Sequence, residues 1–65
     1  MKEKLKELRK EKGLTQKQVA QAIRITSSAY ANYEQGTREP SIDIIIKICK
    51  FFGTTPNYLL GFEEY

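Results

Sequence analysis

Gln16 and Lys17, and some ten residues further on Thr26, Ser27, Ser28 and Asn32, are the side chains of this sequence whose types and spacing suit chemistry on another molecule. They are amides, hydroxyls and one ammonium, groups that donate and accept hydrogen bonds, and no hydroxyl among them has a visible base to make it a nucleophile. The chain has no histidine, one cysteine (Cys49), and acids scattered along charged faces, so it offers neither an acid–base pair nor a zinc-type ligand cluster. An enzyme is rejected on this ground, and no metal or cofactor is expected. The chemistry that remains is recognition through hydrogen bonds.

Two short helices must position these groups. Thr15 followed three residues later by Gln18 forms a capping box, with Leu14 and Val19 placed as a hydrophobic staple, and this predicts a helix from Gln16 to about Ile23. Thr26 is a second N-cap, and Gly36 stands where a left-handed residue ends a helix, which predicts a helix from Ser27 to about Gln35. Helices so closely spaced make a helix-turn-helix. In the first, Val19, Ala20 and Ile23 face inward. Gln16 and Lys17 lie in its first turn, where free backbone N–H groups attract phosphate oxygens, so they are expected to clamp a nucleic-acid backbone; a capped surface helix is the plainer alternative. In the second, Ala29, Tyr30 and Tyr33 share one side, while Ser27, Ser28, Ala31, Asn32 and Gln35 share the other. That small, polar face suits close approach to the base edges of a major groove.

These residues also resemble a family. Leu14-Thr15-Gln16, Val19-Ala20, Tyr33-Glu34-Gln35-Gly36, Arg38-Glu39-Pro40-Ser41 and Tyr58-Leu59-Leu60-Gly61 stand in the order and spacing of the Cro-and-repressor (XRE) helix-turn-helix regulators of bacteria and phages, over nearly the whole chain. The resemblance implies an all-α, five-helix lambda-repressor-like fold and places Arg38 beside the nucleic-acid backbone. The chain departs from the family twice. Arg24 occupies the turn position where relatives usually carry Gly, so either it bears a left-handed conformation or the turn differs. Tyr30 replaces an Ile or Val, so either small neighbours such as Ala20 and Ala29 accommodate the ring or its hydroxyl emerges at the edge.

Residues 1–12 are helix-forming, with Met1, Leu5, Leu8 and Arg9 on one stripe. A guanidinium on an apolar stripe needs a partner, and Glu34 at the end of the third helix is the candidate; the resemblance implies the same pair. Lys2, Lys4, Lys6, Lys10 and Lys12 read as a solvated charged face. Ser41 caps a fourth helix whose apolar residues, Ile42, Ile44, Ile45, Ile46, Ile48, Cys49, Phe51 and Phe52, span a wide arc and make it the central core helix. Cys49 reads as a buried, inert thiol. Thr55 and Pro56 start a last helix docked by Leu59 and Leu60, and Phe62 and Tyr65 lie in a tail expected to fray.

The expected organisation is thus one helix-turn-helix domain over residues 1–65, with helices at about 2–12, 16–23, 27–35, 42–52 and 56–60. No apolar run approaches the ~18 residues of a membrane helix, and neither a leader nor a disulfide framework is visible, which fits a cytoplasmic protein with no membrane partner. Net charge is +3, with six of the eleven Lys and Arg in the first twelve residues and two of the eight acids at Glu63 and Glu64. This permits an anionic partner without proving one.

The function expected is sequence-specific binding of double-stranded DNA by a transcriptional regulator, of which a repressor is the leading form, with no small-molecule ligand evident. Base edges would be read by Thr26, Ser27, Ser28 and Asn32, and phosphates held by Gln16, Lys17, Gln35 and Arg38. So few contacts per copy call for a homodimer on a palindromic operator, joined through Ile44, Phe51, Tyr58, Leu59 and Phe62. The alternative is an antitoxin-like or other protein-interaction module with secondary DNA binding, which the surplus apolar residues favour and the polar third-helix face opposes.

Overall fold

The computed structural model describes residues 1–62 and contains five α-helices: α1 (Lys2–Glu11), α2 (Gln16–Ala22), α3 (Ser27–Gln35), α4 (Ile42–Phe52) and α5 (Pro56–Leu60). Among the described residues there is no strand. This is the all-α, five-helix lambda-repressor-like fold. Glu63, Glu64 and Tyr65 lie outside the described residues, and with them part of the charge asymmetry and of the tail expected to fray.

Four helix starts are built by hydroxyl caps. Thr15, Thr26, Ser41 and Thr55 accept from the backbone N–H groups of Gln18, Ala29, Ile44 and Tyr58 at 3.1, 3.1, 3.3 and 3.1 Å. At α2 the box is reciprocal, because the Thr15 N–H donates to Gln18 Oε1 at 2.8 Å. Such caps satisfy backbone donors that the helix itself leaves unpaired.

The helix ends explain the turn. Leaving α2, the Ile25 N–H donates to the Ala20 carbonyl at 2.9 Å and the Arg24 N–H to that of Gln21 at 3.2 Å, a closure that requires a left-handed residue at position 24. Glycine fills that role after α1, α3, α4 and α5, but Arg24 fills it here, with φ +61°. The turn therefore keeps its geometry and Arg24 bears the strain of a Cβ in the left-handed region. Because the Arg24 side chain is exposed and forms no hydrogen bond or ion pair among the described residues, none of them offsets that strain. Arg24→Gly is expected to stabilise the fold by about 1 kcal/mol, the conformational gain exceeding the extra unfolded-state entropy of glycine. An unchanged or lowered urea midpoint would contradict this.

The core is Leu5 of α1, Val19 and Ala20 of α2 with the adjoining Ile23, Tyr30 of α3, Ile48, Cys49 and Phe52 of α4, and Leu59 of α5. Tyr30 settles the choice left open by the sequence: its ring is fully buried and the hydroxyl does not reach the surface. The hydroxyl lies beside the Arg9 and Glu34 side chains without an aligned hydrogen bond, and burial, with the Glu34 carboxylate adding, pushes the phenol up from its ordinary value. Burial likewise pushes the Cys49 thiol up, away from the reactive thiolate.

Two expectations about apolar surface need correction. Leu59, assigned to a dimer surface, has 0% of its surface exposed, because α5 turns it inward between α1 and α4. It is a core residue. Conversely, α4 does not bury its whole apolar arc: Ile48, Cys49 and Phe52 are buried and Ile44, Ile45 and Phe51 half-buried, while Ile42 is 76% and Ile46 44% exposed. A helix meets its neighbours over one sector, and these two isoleucines lie outside it.

Candidate nucleic-acid interface

The interface rests on a buried ion pair. Arg9 Nε donates to Glu34 Oε2 at 2.6 Å and Arg9 Nη2 to Glu34 Oε1 at 3.0 Å, a two-pronged arrangement with the Glu34 side chain only 3% exposed. The remaining guanidinium arm donates to the Leu14 carbonyl at 2.9 Å, in the loop leading into α2. Gln16 Nε2 completes the cluster, donating to Glu34 Oε1 at 3.1 Å. One carboxylate thus joins α1, the start of α2 and the end of α3. Burial pushes the Glu34 carboxyl upward, but the bonds from Arg9, with the neighbouring Tyr30 hydroxyl and the Gln16 bond adding, outweigh it and hold the group below its ordinary value.

This cluster changes what Gln16 can offer. Half-buried at the first position of α2, it has one amide N–H engaged by Glu34, leaving the other N–H and its oxygen for an external group. Its neighbour Lys17 is exposed, as are Gln35 at the end of α3 and Arg38 in the following loop. The four residues assigned to phosphate contact therefore come from the first turn of α2 and from the end of α3 and the loop beyond it.

On α3, Ser27 and Ser28 are exposed and unencumbered in the first turn. Thr26 is less free, since its hydroxyl oxygen accepts the Ala29 N–H as N-cap. Asn32, one turn beyond Ser28, is half-buried, and its Oδ1 accepts from the Thr37 hydroxyl at 3.1 Å. Thr37 therefore holds the amide in one orientation, a role no sequence signal announced. Its backbone N–H also donates to the Asn32 carbonyl at 3.1 Å, closing α3 over Gly36. Gly36 supplies the left-handed residue there, with φ +80°, and a Cβ at that position would come within 2.9 Å of the flexible, exposed Lys2 stem, which can move aside. Ile44, Phe51 and Tyr58 are half-buried, Tyr58 carries the Lys4 ammonium 4.8 Å from its ring centroid, and Phe62 is 79% exposed. These residues do not make one patch with Leu59, which is in the core.

A capped α2 and α3 at this spacing, locked by Arg9 and Glu34 and presenting a small polar helix face, define a helix-turn-helix protein. The chain belongs to that family, in its Cro-and-repressor (XRE) branch: the Helix-turn-helix family model matches residues 5–59. Among curated relatives it is 37% identical over 60 residues to the HTH-type transcriptional regulator ImmR of Bacillus subtilis, covering 92% of this chain and 47% of that protein. It is 38% identical over 61 residues to the cryptic phage CTXphi transcriptional repressor RstR of Vibrio cholerae, covering 94% and 55%. It is 39% identical over 62 residues to the HTH-type transcriptional activator BcrR of Enterococcus faecalis, covering 95% and 30%. The chain spans about half the length of the first two relatives and less of the third. No solved structure matches it. Among the described residues no helix is long and apolar enough to cross a membrane, and no group of acids, Cys or His is arranged to hold a metal ion.

Proposed function

We propose that residues 1–65 form one DNA-binding domain of a cytoplasmic transcriptional regulator, non-enzymatic, which inserts α3 into the major groove of double-stranded DNA. The observation that carries this reading is the small, polar face of α3, with Ser27 and Ser28 exposed and Asn32 held by Thr37, together with exposed cations at Lys17 in the first turn of α2 and Arg38 in the loop after α3. A helix face without bulky side chains lets the backbone approach the base edges closely. Thr26, Ser27, Ser28 and Asn32 read bases; Gln16, Lys17, Gln35 and Arg38 hold phosphates. The free N–H of Gln16 serves that purpose, braced from behind by Glu34.

Repression is the form of regulation favoured, since covering a promoter demands nothing beyond the DNA surface; RstR is named a repressor, although BcrR is named an activator. Four base-reading side chains per copy select poorly among genomic sites, so the regulator acts as a two-fold homodimer on a palindromic operator. Ile44, Phe51, Tyr58 and Phe62 supply the joining surface.

Selection of bound sites from a random DNA pool tests base reading and half-site spacing together. The expected product is an inverted repeat with half-sites about one helical turn apart. A salt titration on the selected site should weaken binding steeply, by about a hundredfold between 50 and 200 mM salt if Lys17 and Arg38 of both copies neutralise four phosphates. The exposed Ile42, Ile46, Leu60 and Phe62 favour a second reading, a protein-interaction or antitoxin-like module. That reading gains if no site is selected and association with protein resists salt.

A further inference from the structure

A groove of about 540 Å³ lies between the end of α2 and the outer side of α4, lined by Ala22, Ile23, Arg24, Lys47, Lys50 and Phe51. Its floor is apolar and its rim is cationic. A fourth cation adjoins it, the Lys12 ammonium lying 5.7 Å from the Phe51 ring centroid. Among the described residues the ion pairs are Met1–Glu3 and Arg9–Glu34, so none of Arg24, Lys12, Lys47 or Lys50 is neutralised, and Asp43, one turn before Lys47, forms no ion pair with it. No acid lines the groove. Unpaired like charges around a half-buried ring leave a surface complementary to an occupant carrying carboxylates beside an apolar group.

The chain itself contains such a segment. Phe62-Glu63-Glu64-Tyr65 sets two adjacent carboxylates between two aromatic rings, and Phe62 is 79% exposed. We infer that the groove formed by Arg24, Lys47, Lys50 and Phe51 receives residues 62–65 of a second copy, the two copies exchanging these segments reciprocally. This deepens the homodimer reading of the preceding section and rests on it. Reciprocal exchange is the self-complementary arrangement that a two-fold axis requires, and it places four aromatic rings and four carboxylates against two cationic grooves. It also gives Arg24 a use that glycine would not serve.

Sedimentation equilibrium of the 65-residue chain without DNA tests the inference. The wild type is expected to dimerise at micromolar concentration and to dissociate as salt rises. Lys47→Glu with Lys50→Glu, and separately Glu63→Lys with Glu64→Lys, should each weaken the dimer at least about tenfold. An equimolar mixture of the two variants should restore it, because each groove then meets a segment of opposite charge on the other chain. Should either reversal alter the melting profile, the neutral Lys47→Gln with Lys50→Gln replaces it and is expected to weaken the dimer and its salt dependence. A mixture that stays monomeric overturns the proposal, including the case in which each chain holds its own segment. A wild-type dimer indifferent to both reversals removes this docking mode but leaves the homodimer standing, whereas a monomeric wild type removes both.

Discussion

Glu34→Ala is expected to lose about 3–5 kcal/mol of stability, most of what a chain of this size possesses at about 0.05–0.15 kcal/mol per residue. The loss follows from what stays behind. Arg9, with a side chain only 13% exposed, would keep its charge but lose both prongs of its partner, and Gln16 would lose its acceptor. A buried charge without its counter-ion costs far more than the intact pair contributes, so Arg9→Met combined with Glu34→Leu should recover much of the deficit. A urea midpoint for Glu34→Ala equal to that of the wild type would refute the account.

The same carboxylate sets a pH dependence. Its folded value lies below the ordinary value of 4.5, so the native state favours the ionised form more than the unfolded chain does. That contribution is complete above the unfolded value and disappears as pH falls through the folded one. Stability should therefore decline on the acid side of about pH 4.5, and the decline should be shallower in Glu34→Gln. Urea midpoints measured from neutral pH downward check the slope.

Asn32→Ala is expected to have the largest effect on DNA selectivity. An amide can bond adenine through two atoms at once, a discrimination of about 1–3 kcal/mol that serine hydroxyls do not match, and a symmetric dimer makes the contact twice. The preference at one base pair per half-site should relax, and binding to the full palindrome should weaken by about 2–6 kcal/mol. The salt dependence should stay as it was, because Lys17 and Arg38 still meet phosphates. Thr37→Val should relax the same base pair more mildly, since it removes the hydroxyl 3.1 Å from Asn32 Oδ1, and Thr37→Ser should retain the preference. An unaltered selected motif in Asn32→Ala would assign the readout elsewhere.

The helix starts at Thr15, Thr26, Ser41 and Thr55, and the stops at the glycines, were legible in the sequence because the bonds that make them span three to five residues. So was the demand that Arg9 find an anion, since helical periodicity alone puts it on the stripe of Leu5 and Leu8. The left-handed geometry at Arg24 was legible only as a choice between strain and a different turn. The bonds of the α2 closure decided for strain.

Other features depended on packing between residues far apart in the chain. Periodicity marks a helix's apolar sector but not how much of it the neighbouring helices cover, so the exposure of Ile42 and Ile46, the burial of Leu59 and the sealing of the Tyr30 hydroxyl were decided by how the helices pack together. Gln16 and Glu34 are 18 residues apart, and the fold alone turns an expected phosphate clamp into a side chain already half engaged from within. Asn32 and Thr37 are only five apart and the stop at Gly36 announces the reversal between them, but which of their side-chain atoms meet was settled only by the folded geometry. Local hydrogen bonding determined the elements; the mutual fit of the helices decided which of their side chains remain available to a partner.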